Sequence, residues 1–271
     1  MIYETSTTSH QGPWSSGDDL RTLDEVIRFE VLGPLQVSID GRSTAVGPPQ
    51  QQTLLALLLT SPNRAITTDR IVEEMWSRDP PPSARHLVHV YVSRLRELLG
   101  EGEHETRIVR GGSGYAISAH PEEIDAMVLE ASISEADDLR RSDPSAAARR
   151  LHDTTALWRG RPFGDLGFES PLLTAEAGRL EELYLEAMAG RIGLDLEIGD
   201  HREVILQLEQ LTEQHPYREA FWAHLMLALY RCGRQAEALQ TYQTLRRTLV
   251  EELGSAGRGS PGERVQRDDH R

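Results

Sequence analysis

The stretch SARHLVHVYVSRLRELLG, Ser83 to Gly100, decides how the rest of the chain is read. At 100° per residue it winds into one amphipathic helix of about five turns. Ala84, Leu87, Val88, Tyr91, Leu95, Leu98 and Leu99 share one broad apolar side. Arg85, His86, His89, Ser93 and Arg96 share the other, and Arg94 lies at the flank. Ser83 follows the Pro80–Pro82 run as an N-cap, and Gly100 supplies the stop. A helix with a core side and an Arg/His side can dock on its own domain and still enter a DNA major groove. The same pattern also fits an ordinary solvated helix, so the flanking sequence has to decide.

Upstream, Phe29, Val31, Leu35, Val37 and Ile39 alternate around a Gly33–Pro34 break. Asp40–Gly41 is a hairpin turn, with a second strand near Ser43 to Val46. Pro48–Pro49 introduces a helix, Gln50 to Thr60, whose Leu54, Leu55, Leu57, Leu58 and Leu59 make it a core helix. Ala65–Thr67 reads as a very short strand. Thr67 or Thr68 then caps a helix, Asp69 to Trp76, with Ile71, Val72, Met75 and Trp76 on its apolar stripe. A Pro-rich turn, Ser77 to Pro82, joins it to the Arg/His helix. Helix, short connection and long basic-faced helix form a helix-turn-helix.

Downstream, a charged loop, Glu101 to Thr106, precedes a strand at Arg107–Arg110. Gly111, Gly112 and Gly114 supply a turn, and Tyr115–Ile117 returns as a second strand. This hairpin is a wing, with Arg107 and Arg110 placed to meet phosphate or the minor groove. The GGSG run lacks both a following helix and a Lys, which sets a nucleotide-phosphate loop aside.

From Pro121 the pattern is helical throughout. Ile124–Arg141, Ser145–Trp158 behind an Asp143–Pro144 cap, and Pro171–Ile198 read as helices. Between the last two, Phe163 and Phe168 are expected to plug an apolar gap. Helices Arg202–His215, Arg218–Arg231 and Gln235–Leu253 follow. Gly199 and Gly233 stand 34 residues apart, and Val204/Ala238, Leu208/Tyr242 and Leu211/Leu245 repeat that offset. A two-helix period of that length is the tetratricopeptide signal, and stacked helix pairs make curved surfaces for proteins. The expected fold is therefore an α+β winged helix-turn-helix over residues 26–119, then an all-α tetratricopeptide-like domain over 120–254. Patternless segments at 1–25, including Trp14, and at 255–271 are expected to be disordered.

Composition limits the function. The 271 residues carry a net charge of −14. The acid is uneven: Arg28 to Ser118 holds ten Arg and ten Asp/Glu, and Pro121 to Gly254 fourteen Arg against twenty-five Asp/Glu. DNA binding would rest on local patches, strengthened by a dimer or a partner. The chain has no Lys, so every strong cation is an Arg, suited to bidentate phosphate or guanine contacts. The single Cys232 rules out an internal disulfide framework and cysteine metal clusters, and reads as a packed small hydrophobe. His86 and His89 have no third ligand nearby, so neither metal nor cofactor is expected. No base, nucleophile and oxyanion donor assemble, which argues against an enzyme. No apolar run approaches a membrane span, and a cytoplasmic, nucleoid-associated location is expected.

FEVLGPLQV, LLALLL, IVEEMW followed by DPPPSAR, YVSRLRELL, the wing's GYAI and the closing AEALQTYQTLRRTLVEELG together resemble one family. It is the Streptomyces antibiotic regulatory proteins, pathway-specific transcriptional activators, and the likeness spans Phe29 to about Gly254. The resemblance implies an OmpR-type winged helix followed by a bacterial transcriptional activation domain. It implies binding of double-stranded DNA at direct repeats about one helical turn apart, by two protomers set head to tail. It also implies recruitment of RNA polymerase holoenzyme through sigma factor, the β flap or the α C-terminal domain, at an antibiotic gene cluster. It places DNA contacts at Arg85, His86, His89, Ser93, Arg94 and Arg96, and in the wing at Arg107 and Arg110. Two features depart from the family: Pro48-Pro49-Gln50-Gln51-Gln52 stands where basic residues are common, and the tail lacks a further amphipathic segment. With no sensor or ATPase segment the chain resembles the small members. The competing reading is a winged-helix scaffold that binds proteins and not DNA.

Overall fold

The computed structural model describes residues 26–76, 79–100, 107–168 and 170–256. The N-terminal lead with Trp14, the Glu101–Thr106 loop and the tail from 257 onward lie outside these residues.

An antiparallel sheet opens the chain, in the order β1 (Ile27–Glu30), β2 (Gln36–Ile39), β3 (Arg42–Thr44). Asp40 and Gly41 turn β2 into β3 with φ of 50° and 74°. Asp and Gly tolerate that left-handed backbone best, which is why the dipeptide marks a two-residue hairpin. Helix α1 (Pro49–Leu59) follows, with Leu54 to Leu58 buried on every side. It is surrounded because it offers no polar face to water. Strand β4 (Ile66–Thr67) leads into α2 (Thr68–Trp76), and the Thr67 hydroxyl accepts from the Arg70 N–H at 3.2 Å. Next come α3 (Ala84–Leu98), β5 (Ile108–Gly111) and β6 (Gly114–Ile117). The second sheet runs β4-β6-β5. Gly111 and Gly114 therefore belong to strands, and only Gly112–Ser113 forms the turn. A Cβ on Gly114 would sit 1.8 Å from the Ile66 carbonyl oxygen, so only glycine lets β4 and β6 approach.

The rest is helical: α4 (Asp125–Leu139), α5 (Pro144–Thr155), α6 (Pro171–Ile198), α7 (Glu203–Gln214), α8 (Glu219–Arg231) and α9 (Gln235–Ala256). Asp143 accepts from the Ala146 N–H at 2.9 Å and starts α5; Ser170 accepts from the Leu173 N–H at 3.2 Å and starts α6. Gly199 and Gly233, with φ of 117° and 78°, end α6 and α8. These are the left-handed stops expected of C-terminal glycines.

The main core does not stop at Pro121. One cluster of buried side chains runs from Ile27 and Phe29 through α1, α2 and α3 into Leu129, Leu151, Leu173, Leu180 and Leu194. A second, smaller cluster joins the far part of α6 to α7 and α8, around Ile192, Leu208 and Phe221. Two buried carboxylates stitch the winged half to the helical half. Asp125, at the start of α4, accepts from the N–H groups of Val31 and Leu32 at 2.8 and 3.1 Å. Burial pushes its carboxyl above the usual range, against the pull of those hydrogen bonds and of Arg159. Glu74 of α2 is 2% exposed and accepts from the Ser170 hydroxyl at 2.7 Å and the Leu172 N–H at 3.0 Å. Buried carboxylates persist only when paired in this way.

Phe163 plugs this junction as expected: it is buried, its φ is 62°, and its N–H donates to the Val31 carbonyl at 3.0 Å. Phe168 does not. It is 65% exposed, with the Arg161 guanidinium 4.5 Å from its ring centre. It sits just past the 3-10 turn Gly164–Gly167, on the solvent side of the loop. The 34-residue offset holds in the backbone and at Leu211/Leu245, both buried, but not at Leu208/Tyr242. Val204 and Leu208 are buried beneath α8, whereas Tyr242 is 54% exposed.

Candidate nucleic-acid interface

Helix α3 packs on α1 and α2 through Ala84, Val88, Val92, Leu95 and the following Leu99. Val92 completes this face, while Leu87, Tyr91 and Leu98 are only partly covered. Burying five apolar residues leaves the opposite arc to solvent, and Arg85, His86, His89, Ser93 and Arg94 lie there, all exposed. Ser83 does not cap through its side chain; its carbonyl accepts from the Leu87 N–H at 2.9 Å instead. Gly100 takes φ of 73° and ends the helix as expected.

The eight sequence-predicted contacts separate by what they already hold. Arg96 leans off the polar arc toward the wing. Its Nε and Nη2 donate to the Ile108 carbonyl at 2.9 and 2.7 Å, lashing α3 to β5. Arg107 pairs with Glu123 at 3.1 Å, both largely buried, so its charge ties the wing root to the turn before α4. Arg85 pairs with Asp69 of α2, both well exposed. His89 shares a 2.5 Å hydrogen bond through Nδ1 with the Tyr115 hydroxyl, the two rings edge to face at 5.9 Å. His86, Ser93, Arg94 and Arg110 make no side-chain hydrogen bond or ion pair with the described residues, and Arg110 projects exposed from β5.

The Arg96 and His89 contacts tie α3 to the wing. The tip of the wing is anchored as well: the Ser113 carbonyl accepts from both the N–H and the hydroxyl of Thr68, at 3.1 and 2.8 Å. Tyr115 is buried, and a hydroxyl donating to Nδ1 of His89 leaves Nε2 as the ring's donor. Neither Tyr115 nor Asp69 stood out in the sequence. Tyr115 read as one more strand residue, and Asp69 as one more acid in a first helical turn. Nothing local reveals that they meet the α3 side chains across space.

Arc and wing together carry hydrogen-bond donors and two charges, Arg94 and Arg110, without partners among the described residues, in a half of the molecule with as many acids as arginines. Among the described residues no group of three or more His, Cys, Asp or Glu could hold a metal ion. No helix among them is long and apolar enough to cross a membrane.

Known proteins share this arrangement. Residues 43–117 match the family model described as transcriptional regulatory protein, C terminal, and residues 124–269 that of the bacterial transcriptional activator domain. The chain belongs to the Streptomyces antibiotic regulatory protein family. In this family an OmpR-like winged helix precedes a bacterial transcriptional activator domain, here α4 to α9. The regulatory protein AfsR of Streptomyces griseus is 37% identical over 244 residues, which cover 90% of this chain and 24% of AfsR. The transcriptional regulatory protein MoaR1 of Mycobacterium tuberculosis is 33% identical, over 86% of this chain and 76% of MoaR1. The solved structure of Mycobacterium tuberculosis EmbR in complex with a low-affinity phosphopeptide superposes with a TM-score of 0.81 at 32% identity, covering 85% of this chain and 62% of EmbR. The chain thus spans about a quarter of AfsR and under two thirds of EmbR.

Proposed function

We propose that the protein is a sequence-specific DNA-binding transcriptional activator. One observation carries the reading: α3 offers a polar arc with Arg94 free, braced by Arg96 against a wing that offers Arg110. A braced helix and wing meet major groove and flanking backbone together, at little entropic cost on binding. Arg85, His86, His89, Ser93 and Arg94 face the groove, and Arg110 meets phosphate or the minor groove. Arg96 and Arg107 act by holding the frame.

In this reading the site is a pair of direct repeats near one helical turn apart, filled by two protomers head to tail. The acidic helical half then recruits RNA polymerase holoenzyme through sigma factor, the β flap or the α C-terminal domain. The genes controlled are those of an antibiotic or other secondary-metabolite cluster, and the protein works in the cytoplasm at the nucleoid. The family relatives and the shared fold support this reading. Footprinting across the protein's own genomic neighbourhood tests it. The expected result is protection of two repeated sequences upstream of a promoter, with affinity falling steeply as salt rises. No protection at low salt would favour the second reading, a scaffold without DNA binding. The equal count of Arg and acid in the winged half is the observation on that side.

A further inference from the structure

At the start of α3 the polar arc is held by neighbours on two other elements. The Nη2 of Arg85 meets the carboxylate of Asp69, in the first turn of α2. One turn further along α3, His89 meets the Tyr115 hydroxyl of β6. Thr68, the residue before Asp69, donates to the Ser113 carbonyl at the wing tip through its N–H and its hydroxyl. The three elements are thereby closed into a ring, each linked to the other two. The links at the wing have a buried partner each, Thr68 and Tyr115. The Arg85–Asp69 link has none, since both side chains are 69% exposed. Water screens such a pair and leaves it little to add to stability. Folding also gives Arg85 no reason to be where it is. A cation in the first turn of a helix opposes the helix dipole, and that turn of α3 holds no acid of its own. Asp69 does suit the first turn of α2 by charge, but that accounts for its place and not for its pairing. An exposed acid beside a DNA-facing arc also repels phosphate.

We propose that Asp69 is a specificity-determining residue that positions Arg85 to read a guanine and penalises other bases at that step. The inference rests on the DNA-binding reading above. A guanidinium carries several N–H donors in a rigid fork, so one carboxylate oxygen on Nη2 leaves enough to engage O6 and N7 of a guanine. Held on one side by Asp69, the long Arg85 side chain gives up part of its freedom before DNA arrives. On any other base Arg85 finds no bidentate partner, while the carboxylate still meets the duplex. Attraction at the right base and repulsion at the wrong ones together set the discrimination. Asp69 touches no base in this scheme and acts through Arg85.

Selection from a randomised duplex library, with sequencing of the bound pool, tests the proposal, alongside anisotropy titrations on a duplex of scrambled sequence. The full chain should enrich a motif containing a guanine whose preference disappears in Arg85→Ala. Asp69→Asn keeps the shape and removes the charge. It should lower the preference for that guanine about tenfold and leave the other positions as they are. On the scrambled duplex it should bind about twofold or more tighter, most clearly at low salt. In the Arg85→Ala background the same change should still tighten scrambled-duplex binding, yet alter the motif no further. A purely structural Asp69 would instead weaken binding to both duplexes with the motif unchanged, which overturns the proposal. A guanine preference lost further when Asp69→Asn is added to Arg85→Ala overturns it too. If the unmutated chain enriches no sequence, the DNA-binding reading falls and this inference with it. A motif whose guanines survive either Arg85→Ala or Asp69→Asn sinks this inference alone.

Discussion

Helices α3 and α9 are both long, both amphipathic and both edge elements, yet their outer faces differ. On α3 every strongly apolar position is covered at least in part, and the face left to solvent is Arg, His and Ser with one acid, Glu97. On α9 the apolar residues exceed what α8 can cover, and Leu239, Tyr242 and Val250 remain in water. The first face suits a wet, anionic ligand read by hydrogen bonds and charge. The second suits a dry protein partner. Amphipathicity alone would not separate them; what matters is which residues remain after internal packing.

The largest effect that could break this comparison lies beneath α3. If its placement depends on the helical half, Asp125→Ala should destabilise the whole protein by about 2–4 kcal/mol, because two buried N–H groups lose their acceptor. Asp125→Asn should cost less, since its amide oxygen still accepts. Chemical denaturation checks both, and a loss confined to the helical half would show that the two halves are energetically separate. Next, Arg94→Ala should weaken DNA binding about tenfold or more in a gel-shift titration and reduce its salt slope. Arg96→Ala should match that loss while also loosening amide protection in β5, because it removes the lash to Ile108 and not only a charge. Equal protection in the two variants would return Arg96 to the role of a plain DNA contact.

Tyr115→Phe is subtler. The ring stays buried and only the hydroxyl on His89 is lost, so stability should change little. DNA affinity should fall about three- to tenfold, with weakened preference at a single base position. An unchanged binding profile would mean that His89 does not read DNA. The smallest effect is on pH. His224 and His215 are held below the usual 6.5, chiefly by burial and then by Arg140 and Arg218 respectively. The unfolded chain takes up those protons first. Their stabilising contribution is therefore complete above pH 6.5 and is lost as pH falls through 6.5 toward the lowered folded values. Melting temperatures should decline from pH 6.5 to 5.5, and His224→Gln should flatten part of that decline. Asp125 and Asp195, both raised chiefly by burial, work in the opposite direction, because the folded chain takes up those protons first as pH falls.

Much of the architecture was legible from local pattern. Asp40–Gly41, Gly199, Gly233 and Asp143 mark turns and caps whose backbone demands only those residue types meet well, and each appears where the sequence placed it. The Leu-rich run of α1 and the 3.6-residue period of α3 fixed a buried rod and an outward arc. Pairs distant in the chain were not legible. Phe163 and Phe168 look alike in sequence, and only the Val31 carbonyl, bonded to the Phe163 N–H, decides which one is buried. Arg94 and Arg96 differ by two residues, or about 200° around the helix, and only the position of β5 shows which one is already occupied.

What the sequence determined by itself, then, is the kind of each element and the side it turns inward, because backbone preference and hydrophobic period act over a few residues. What tertiary structure decided is which charges are spent inside the molecule. Asp125 on Val31, Glu74 on Ser170 and Arg107 on Glu123 are contacts between segments that meet only once the chain has folded. A hydrogen bond or ion pair forms at about 3 Å and leaves no periodic trace in either partner's own sequence.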